Sequence, residues 1–367
     1  MPKSVLLLGP PIDHRASLTA MLAPGGVQVH WLPDSHSPED EEDPRPAARK
    51  AWFRLAEGLF GTADSAFLDR ALRVIDEAGI QMVVAYWGTG PLSDILALKR
   101  ARPAVKVVLM MLCYPLSFST PGILRQRLRM ARAAGSLDGV ICPSREMRDY
   151  LSRHDLARTD CPMAVLPPCW PAEFQAESRL ACAPAPCVVY VGRPDFTSST
   201  ATAADDIRFL LDCLLEECVE VHHGTGKALE DGHPRRRTFP PRPVTQLIAM
   251  MSGFDASLVT YNEAACARRE RLMLTVPDRL ITSVAAGIPV ALPESGYEAS
   301  RSYLADYPAV IPFRSAPELA DSLRDRRRVA QLREAAWHAR SSYRAQRHGD
   351  SLRAFLRSVL RAERTVP

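Results

Sequence analysis

Two kinds of chemistry are suggested by residue type and position. Asp13 and His14 follow an apolar run, Ser4–Leu8, and the turn Gly9-Pro10-Pro11. A histidine titrates near neutral pH and can take a proton from a hydroxyl, and a neighbouring aspartate can orient it. The other reading of His14 is a solvent-facing loop residue. Arg279 stands at the head of an apolar helical stretch that ends before Gly287. The unpaired N–H groups of a helix start and a guanidinium both favour an anion; otherwise Arg279 is a solvated helix-start residue. Gly192, Gly224 and Gly226 stand after apolar runs, where glycine lets a backbone approach a ligand or simply makes a turn. Arg193 adds a cation next to the first of them. Tyr261 and Asn262 follow a further run, where the tyrosine ring could stack on a base or sugar or sit half-buried in a loop. His222 and His223 close another strand and are read as structural or as second candidates.

The elements that must position these residues alternate. Ser4–Leu8, a helix over Arg15–Leu22 and a strand over Val27–Leu32 make a βαβ unit within about thirty residues. Asp34–Arg49 is an acidic, proline-containing loop. Phe67, Leu68, Leu72 and Ile75 recur at helical spacing and predict a helix over Ser65–Ala78. Strands follow at Met82–Tyr86, Val105–Leu112, Gly139–Cys142 and Ala164–Leu166, with a helix at Leu92–Arg100 and another opened by Ser144 as its cap. Pro167-Pro168 and the Pro/Ala-rich stretch after it mark a boundary. The pattern then restarts. Strands are expected at Cys187–Val191, Val219–His222, Ala256–Thr260 and Pro289–Leu292. Helices are expected at Ile207–Cys218, with Phe209, Leu210, Leu214 and Leu215 on the apolar side, at Val244–Met251 and at Arg279–Ala286. Residues 227–243 read as a polar loop, and 316–363 as largely helical. Runs this apolar on both faces belong to parallel sheets covered by helices. Two such doubly wound halves facing each other place a ligand cleft at the carboxyl ends of their strands.

Composition bounds the function. The chain has 367 residues, beyond one ordinary core of about 100–200. Hydrophobic residues at 47% exclude a mostly disordered chain, and a net charge of +4 does not point to nucleic acid. Nine cysteines, an odd number without C-x-x-C spacing, exclude a zinc ribbon and suggest reduced thiols in a cytoplasm; Cys142 and Cys187 read as small core residues. No run reaches the length of a membrane span, and the N-terminus reads as a first strand rather than a signal peptide. Gly122–Arg132, with Arg125, Arg127, Arg129 and Arg132 among Ile123, Leu124, Leu128 and Met130, is a basic amphipathic stretch. Such a stretch can lie on an anionic membrane or pack on a sheet with its arginines solvated.

Several of these segments, in this order, carry a resemblance. VPDRLITSVAAGIPVAL (Val276–Leu292), preceded by DASLVTY (Asp255–Tyr261), resembles the donor-site pattern of GT-B glycosyltransferases, especially the family 4-like (group 1) enzymes. VVYVGRP (Val188–Pro194), VEVHHGTG (Val219–Gly226) and DGVICPSREMRDYL (Asp138–Leu151) resemble further strand-and-turn segments of that fold. The resemblance implies an α/β protein of two Rossmann-like domains: residues 1–175 for the acceptor, 176–340 for a nucleotide sugar, and 341–367 as a helix returning toward the first. It implies a donor site of Gly192, Arg193, Gly224, Thr225, Gly226, Tyr261, Asn262, Asp278, Arg279, Leu280 and Thr282, with Arg279 on the phosphates of a UDP- or GDP-sugar. Asp13 and His14 are then the catalytic pair.

The sequence also departs from the pattern. The paired glutamates of many retaining members are replaced by Leu274 and Thr282, and Cys113-Tyr114 stand where a carboxylate or histidine often follows the strand. No D-x-D element is suited to a metal. The expectation is a metal-independent hexosyltransferase without a cofactor, cytoplasmic or peripheral on the inner membrane face. Its acceptor is a glycan, a lipid-linked glycan or another small hydroxyl compound, as in polysaccharide biosynthesis. A degenerate binding or scaffold subunit, or a sugar-nucleotide epimerase of the same fold, are the alternatives.

Overall fold

A computed structural model describes residues 2–33, 65–115, 117, 120–156, 160–192, 203–224 and 232–362. The expected acidic loop Asp34–Arg49 lies outside them, as do Arg193, Thr225 and Gly226. The chain forms two units, one of residues 1–168 with 346–367, the other of residues 169–345.

The first unit is built on a parallel sheet of β1 (Ser4–Leu8), β2 (Gln28–Leu32), β3 (Met82–Trp87), β4 (Lys106–Met111), β5 (Gly139–Cys142) and β6 (Met163–Val165), in the spatial order 2-1-3-4-5-6. The register is Val5 on Met82, Val84 on Val108 and Leu109 on Val140. β1 and β4 are apolar and buried after their first residues, Ser4 and Lys106, and β5 is buried throughout, whereas the edge strand β2 carries Gln28 and His30 and is half-exposed. Ser144 caps the Arg145–His154 helix by accepting from the Met147 N–H at 3.1 Å. The Gly349–Arg361 helix belongs to this unit. A Cβ on Gly139 would stand 2.9 Å from Val359 and 3.0 Å from Phe355, so β5 carries glycine where that helix lies on it.

The second unit repeats the plan with β7 (Cys187–Tyr190), β8 (Glu220–Gly224), β9 (Arg236–Phe239), β10 (Ala256–Leu258), β11 (Val290–Pro293) and β12 (Val310–Phe313), in the order 12-11-10-7-8-9, all parallel. Two of these strands differ from the sequence reading. Arg236–Phe239 is a strand rather than loop; among the described residues it pairs with β8 alone, and Arg236 is buried against Asp212 at 2.5 Å. Val310–Phe313 adds the opposite edge, where Pro312, exposed and unable to donate, is tolerated. The apolar face of the Arg208–Glu216 helix is also rotated from the expected one. Ile207, Leu211, Leu214 and Leu215 are buried, while Phe209 is 83% exposed.

β10 ends at Leu258 rather than Thr260, because the polar groups beyond it are used elsewhere. The Thr260 carbonyl accepts from Arg279 at 2.8 Å, and the Tyr261 N–H donates to the Tyr297 hydroxyl at 2.9 Å.

Candidate functional site

In a doubly wound sheet, a crevice opens at the carboxyl ends of the two strands where the winding reverses direction. The order of the second sheet places that reversal between β7 and β10, and the order of the first places it between β1 and β3. The residues with chemical potential gather at both points.

In the second unit the centre is Arg279, in the first turn of the Asp278–Ala286 helix. Its residue is only 9% exposed. One terminal nitrogen donates to the Tyr190 hydroxyl at the end of β7 and to the Thr260 carbonyl beyond β10, both at 2.8 Å. The guanidinium lies 4.2 Å from the Tyr261 ring centre and 5.1 Å from that of Tyr190. Burial works against its charge, but Tyr190, Tyr261 and the buried Asp205 outweigh it and hold Arg279 firmly protonated. Among the described residues, both hydrogen bonds of this buried cation go to neutral acceptors. Buried charges are ordinarily paired, so the guanidinium can still accept an anion.

Gly192 has a steric reason here. A Cβ would fall 2.1–2.3 Å from the Tyr190 ring, so the chain after β7 must be bare for that ring to fold over it and reach Arg279. Gly224 ends β8, and its carbonyl lies 2.7 Å from Nδ1 of the buried His223. Asn262 accepts from the Ala265 N–H at 3.3 Å and caps the short turn Glu263–Ala265. Asp278 is exposed at the helix start, whereas Leu280 is wholly buried. Thr282 is committed to packing: its hydroxyl donates to the Asp278 carbonyl at 2.7 Å and accepts from the Trp170 indole at 3.0 Å. The structure therefore brings Gly192, Tyr261 and Arg279 together, and turns Leu280 and Thr282 into the interior. Tyr190, Asp205, Thr260 and Tyr297 were not singled out from sequence. Tyr190 could have been, since VVYVG sets a phenol two residues before the turn glycine.

In the first unit, Asp13 and His14 open the His14–Leu22 helix at the β1 end. Asp13 is exposed, but His14 is buried, with its ring 5.7 Å from that of Trp87 at the end of β3. Trp87 holds a positive φ of 104°, a backbone state that a bulky residue rarely adopts. The Tyr86 hydroxyl donates to the Pro10 carbonyl at 2.6 Å and accepts from the Trp31 indole at 3.0 Å. Gly9 is needed under it, since a Cβ would lie 2.9 Å from the Tyr86 ring and carbonyl.

Cys113 and Tyr114 offer no free base. Cys113 is buried, and the Tyr114 hydroxyl donates to Asp155 at 2.8 Å, with burial pushing its pKa far up. Asp155 in turn binds Arg127 at 2.8 Å. Cys142 and Cys187 are buried, and burial raises the Cys142 thiol to about 12.

No protein-family model and no curated protein matches the chain. Solved structures do. Sucrose-phosphate synthase from Thermosynechococcus elongatus superposes with a TM-score of 0.69 over 98% of this chain and 100% of its own, at 13% identity.

The chain has the GT-B glycosyltransferase fold.

A glycosyltransferase from Rickettsia africae matches with a TM-score of 0.62 over 98% of this chain and 99% of its own, at 11% identity. Anabaena HepE, solved in complex with UDP-glucose, matches with a TM-score of 0.61 over 97% of this chain and 99% of its own, at 12% identity. For a GT-B chain, the buried arginine at the winding reversal of the second unit is the feature to explain.

Proposed function

We propose that this chain is a glycosyltransferase whose second unit binds a nucleotide sugar, UDP- or GDP-linked, through its diphosphate. The observation that carries the reading is Arg279: a buried guanidinium at a helix start, at the winding reversal, whose hydrogen bonds among the described residues go to neutral acceptors. The binding of UDP-glucose by HepE, a protein of the same fold, supports it. In the transfer, an acceptor hydroxyl loses its proton and its oxygen attacks the anomeric carbon. The bond from that carbon to the phosphate oxygen breaks, and the electron pair leaves on the nucleoside diphosphate. Arg279, the amides of the Asp278–Ala286 helix start and Arg193 stabilise the departing charge, so that no metal is required. His14 takes the acceptor proton and Asp13 orients it. The acceptor is a glycan or lipid-linked glycan held by the first unit, with an anionic membrane surface as a further partner, and the protein works in the cytoplasm or on the inner membrane face.

A second reading, a binding subunit without turnover, is favoured by two observations. Thr282, where a glutamate would stand in many related enzymes, is bonded to Trp170, and Tyr114 is locked to Asp155. The test is a panel of UDP- and GDP-sugars with and without EDTA, read both by nucleotide binding and by release of nucleoside diphosphate with a hydroxyl acceptor. Release that survives EDTA is expected. Binding without release selects the subunit reading, release lost on chelation and restored by magnesium or manganese overturns metal independence, and no binding at all overturns both readings.

A further inference from the structure

The second unit carries a reactive cluster that sugar transfer does not use. Cys182, Cys187 and Asp255 place two sulfurs and a carboxylate oxygen within 4.8 Å of one another. Cys187 is the first residue of β7, and Asp255 immediately precedes β10. The cluster therefore lies at the amino ends of these two strands, opposite the ends that hold Arg279. Cys182 and Cys187 are joined by Ala-Pro-Ala-Pro, a stiff spacer that keeps them close.

Asp255 is saturated with donors. It accepts from the Cys187 N–H at 2.9 Å, from the Cys182 thiol, and from both terminal nitrogens of Arg326 at 2.5 and 3.0 Å. The second of these nitrogens also lies 3.2 Å from the Cys182 sulfur. Two thiols and a carboxylate could in other settings hold zinc. Here a guanidinium already covers both carboxylate oxygens, and its positive charge stands where the ion would have to enter.

The two thiols differ in access. Cys187 is buried, whereas Cys182 is partly exposed and lines a cavity of about 350 Å³ together with Arg179, Arg326 and Arg333. A cysteine that attacks an oxidant from solution needs a partly exposed, electropositive setting, whereas a buried one can meet only a sulfur already beside it.

We propose that Cys182 and Cys187 form a peroxide-reactive dithiol, with Cys182 as the attacking thiol and Cys187 as the resolving one. The Cys182 thiolate, its proton released, attacks one oxygen of hydrogen peroxide. The O–O bond breaks, the departing hydroxide takes up a proton to become water, and Cys182 is left as a sulfenic acid. The Cys187 sulfur then attacks the Cys182 sulfur. The S–O bond breaks, and the hydroxyl leaves as water with the Cys187 proton. Two thiols and one peroxide become one disulfide and two waters, the sulfurs losing the two electrons that the peroxide gains.

The electrostatics agree with these roles. The hydrogen bond from Cys187 lowers the pKa of Cys182, with Arg333 acting in the same sense, against burial and the Asp255 carboxylate. The same bond, followed by burial, raises that of Cys187.

The test uses the full chain, reduced and free of chelator. Limiting iodoacetamide, mapped by mass spectrometry, should label Cys182 about tenfold faster than the exposed Cys218. Hydrogen peroxide should then give a 182–187 disulfide reversible by dithiothreitol, and in Cys187→Ser dimedone should trap a sulfenic acid at Cys182. Equal labelling of Cys182 and Cys218 in the unaltered chain, which needs no variant to fold, overturns the proposal. Stoichiometric zinc in the purified protein that is lost in Cys182→Ser overturns it in favour of a metal site.

Discussion

Arg279 shows how a site can be built from a residue that looks structural. Its guanidinium is stacked on Tyr261 and bonded to Tyr190 and Thr260, so it is fixed before any ligand arrives. A preorganised cation binds an anion without the cost of ordering a long side chain. Loss of one charge-assisted contact removes about 1.5–3 kcal/mol, or roughly 10–100-fold in affinity. Arg279→Ala should therefore weaken UDP or GDP binding by that factor in titration calorimetry, with the circular dichroism spectrum unchanged. An unaltered dissociation constant would take Arg279 out of the site. His14 poses a sharper question. Its burial against Trp87 sets aside the solvent-facing reading but equally suits a packed histidine. A general base contributes about 10²–10⁴-fold. His14→Ala should lower turnover by that order at saturating donor and acceptor while nucleotide affinity stays within about twofold. If turnover holds near normal, the imidazole only packs.

At the scale of elements, the strands buried on both faces were the most legible. The sequence predicts the Gly139–Cys142 strand, and likewise the Val244–Met251 helix, with the bounds the structure gives them, because an unbroken apolar run or a clean helical period leaves few alternatives. The edges were not legible. Arg236–Phe239 is polar and, among the described residues, pairs with β8 alone, so it presents no apolar run, and Val310–Phe313 contains a proline. The sequence pattern of the Arg208–Glu216 helix turns Phe209 inward, whereas the buried stripe starts at Ile207, one residue ahead of the helix. Within the candidate site, the turn glycines and Arg279 were visible as residue types. That Thr282 would turn to Trp170, 112 positions away, had no local signal. The Thr120–Ala134 helix carries a prediction of its own. Ile123, Met130, Ala133 and Ala134 pack inward, while Leu124 and Leu128 are 57% and 55% exposed, with Arg125 and Arg132 exposed beside them. Apolar and basic residues sharing an outer face suit an anionic lipid surface. Co-sedimentation with phosphatidylserine-containing vesicles should fall as salt screens the charges over about 8 Å, and Leu124→Ser with Leu128→Ser should weaken it several-fold. Equal recovery with neutral vesicles would leave the two leucines as ordinary surface residues.

At the scale of the whole molecule, the two units solve the same assembly problem in the same way. Each has an aspartate just ahead of a central strand that accepts from the first N–H groups of its neighbour: Asp138 from Val107 at 2.8 Å, and Asp255 from Cys187 at 2.9 Å. Both are further held by a cation, Lys99 and Arg326. The amino ends of both sheets are thus pinned by buried charge, and the carboxyl ends are left to loops and helix starts, where polar groups turn away from the ladder to meet other partners. That polarity predicts where a ligand makes itself felt. A nucleoside diphosphate at 100 times its dissociation constant stabilises the state it binds by about 2.7 kcal/mol. Its contacts in the second unit should slow amide exchange most at the ends of β7 and β10 and at the start of the Asp278–Ala286 helix, around Tyr190, Tyr261 and Arg279. The amino ends around Cys187 and Asp255 should change less, since they are already tied by Arg326. Hydrogen exchange by mass spectrometry with UDP, GDP and inorganic phosphate in parallel resolves these segments. Protection by the diphosphates but not by phosphate, centred on residues 188–192, 258–262 and 278–281, is the expected pattern. Protection centred instead on the β1 and β3 ends of the first unit would reassign the nucleotide to that unit and leave Arg279 as a buried packing cation.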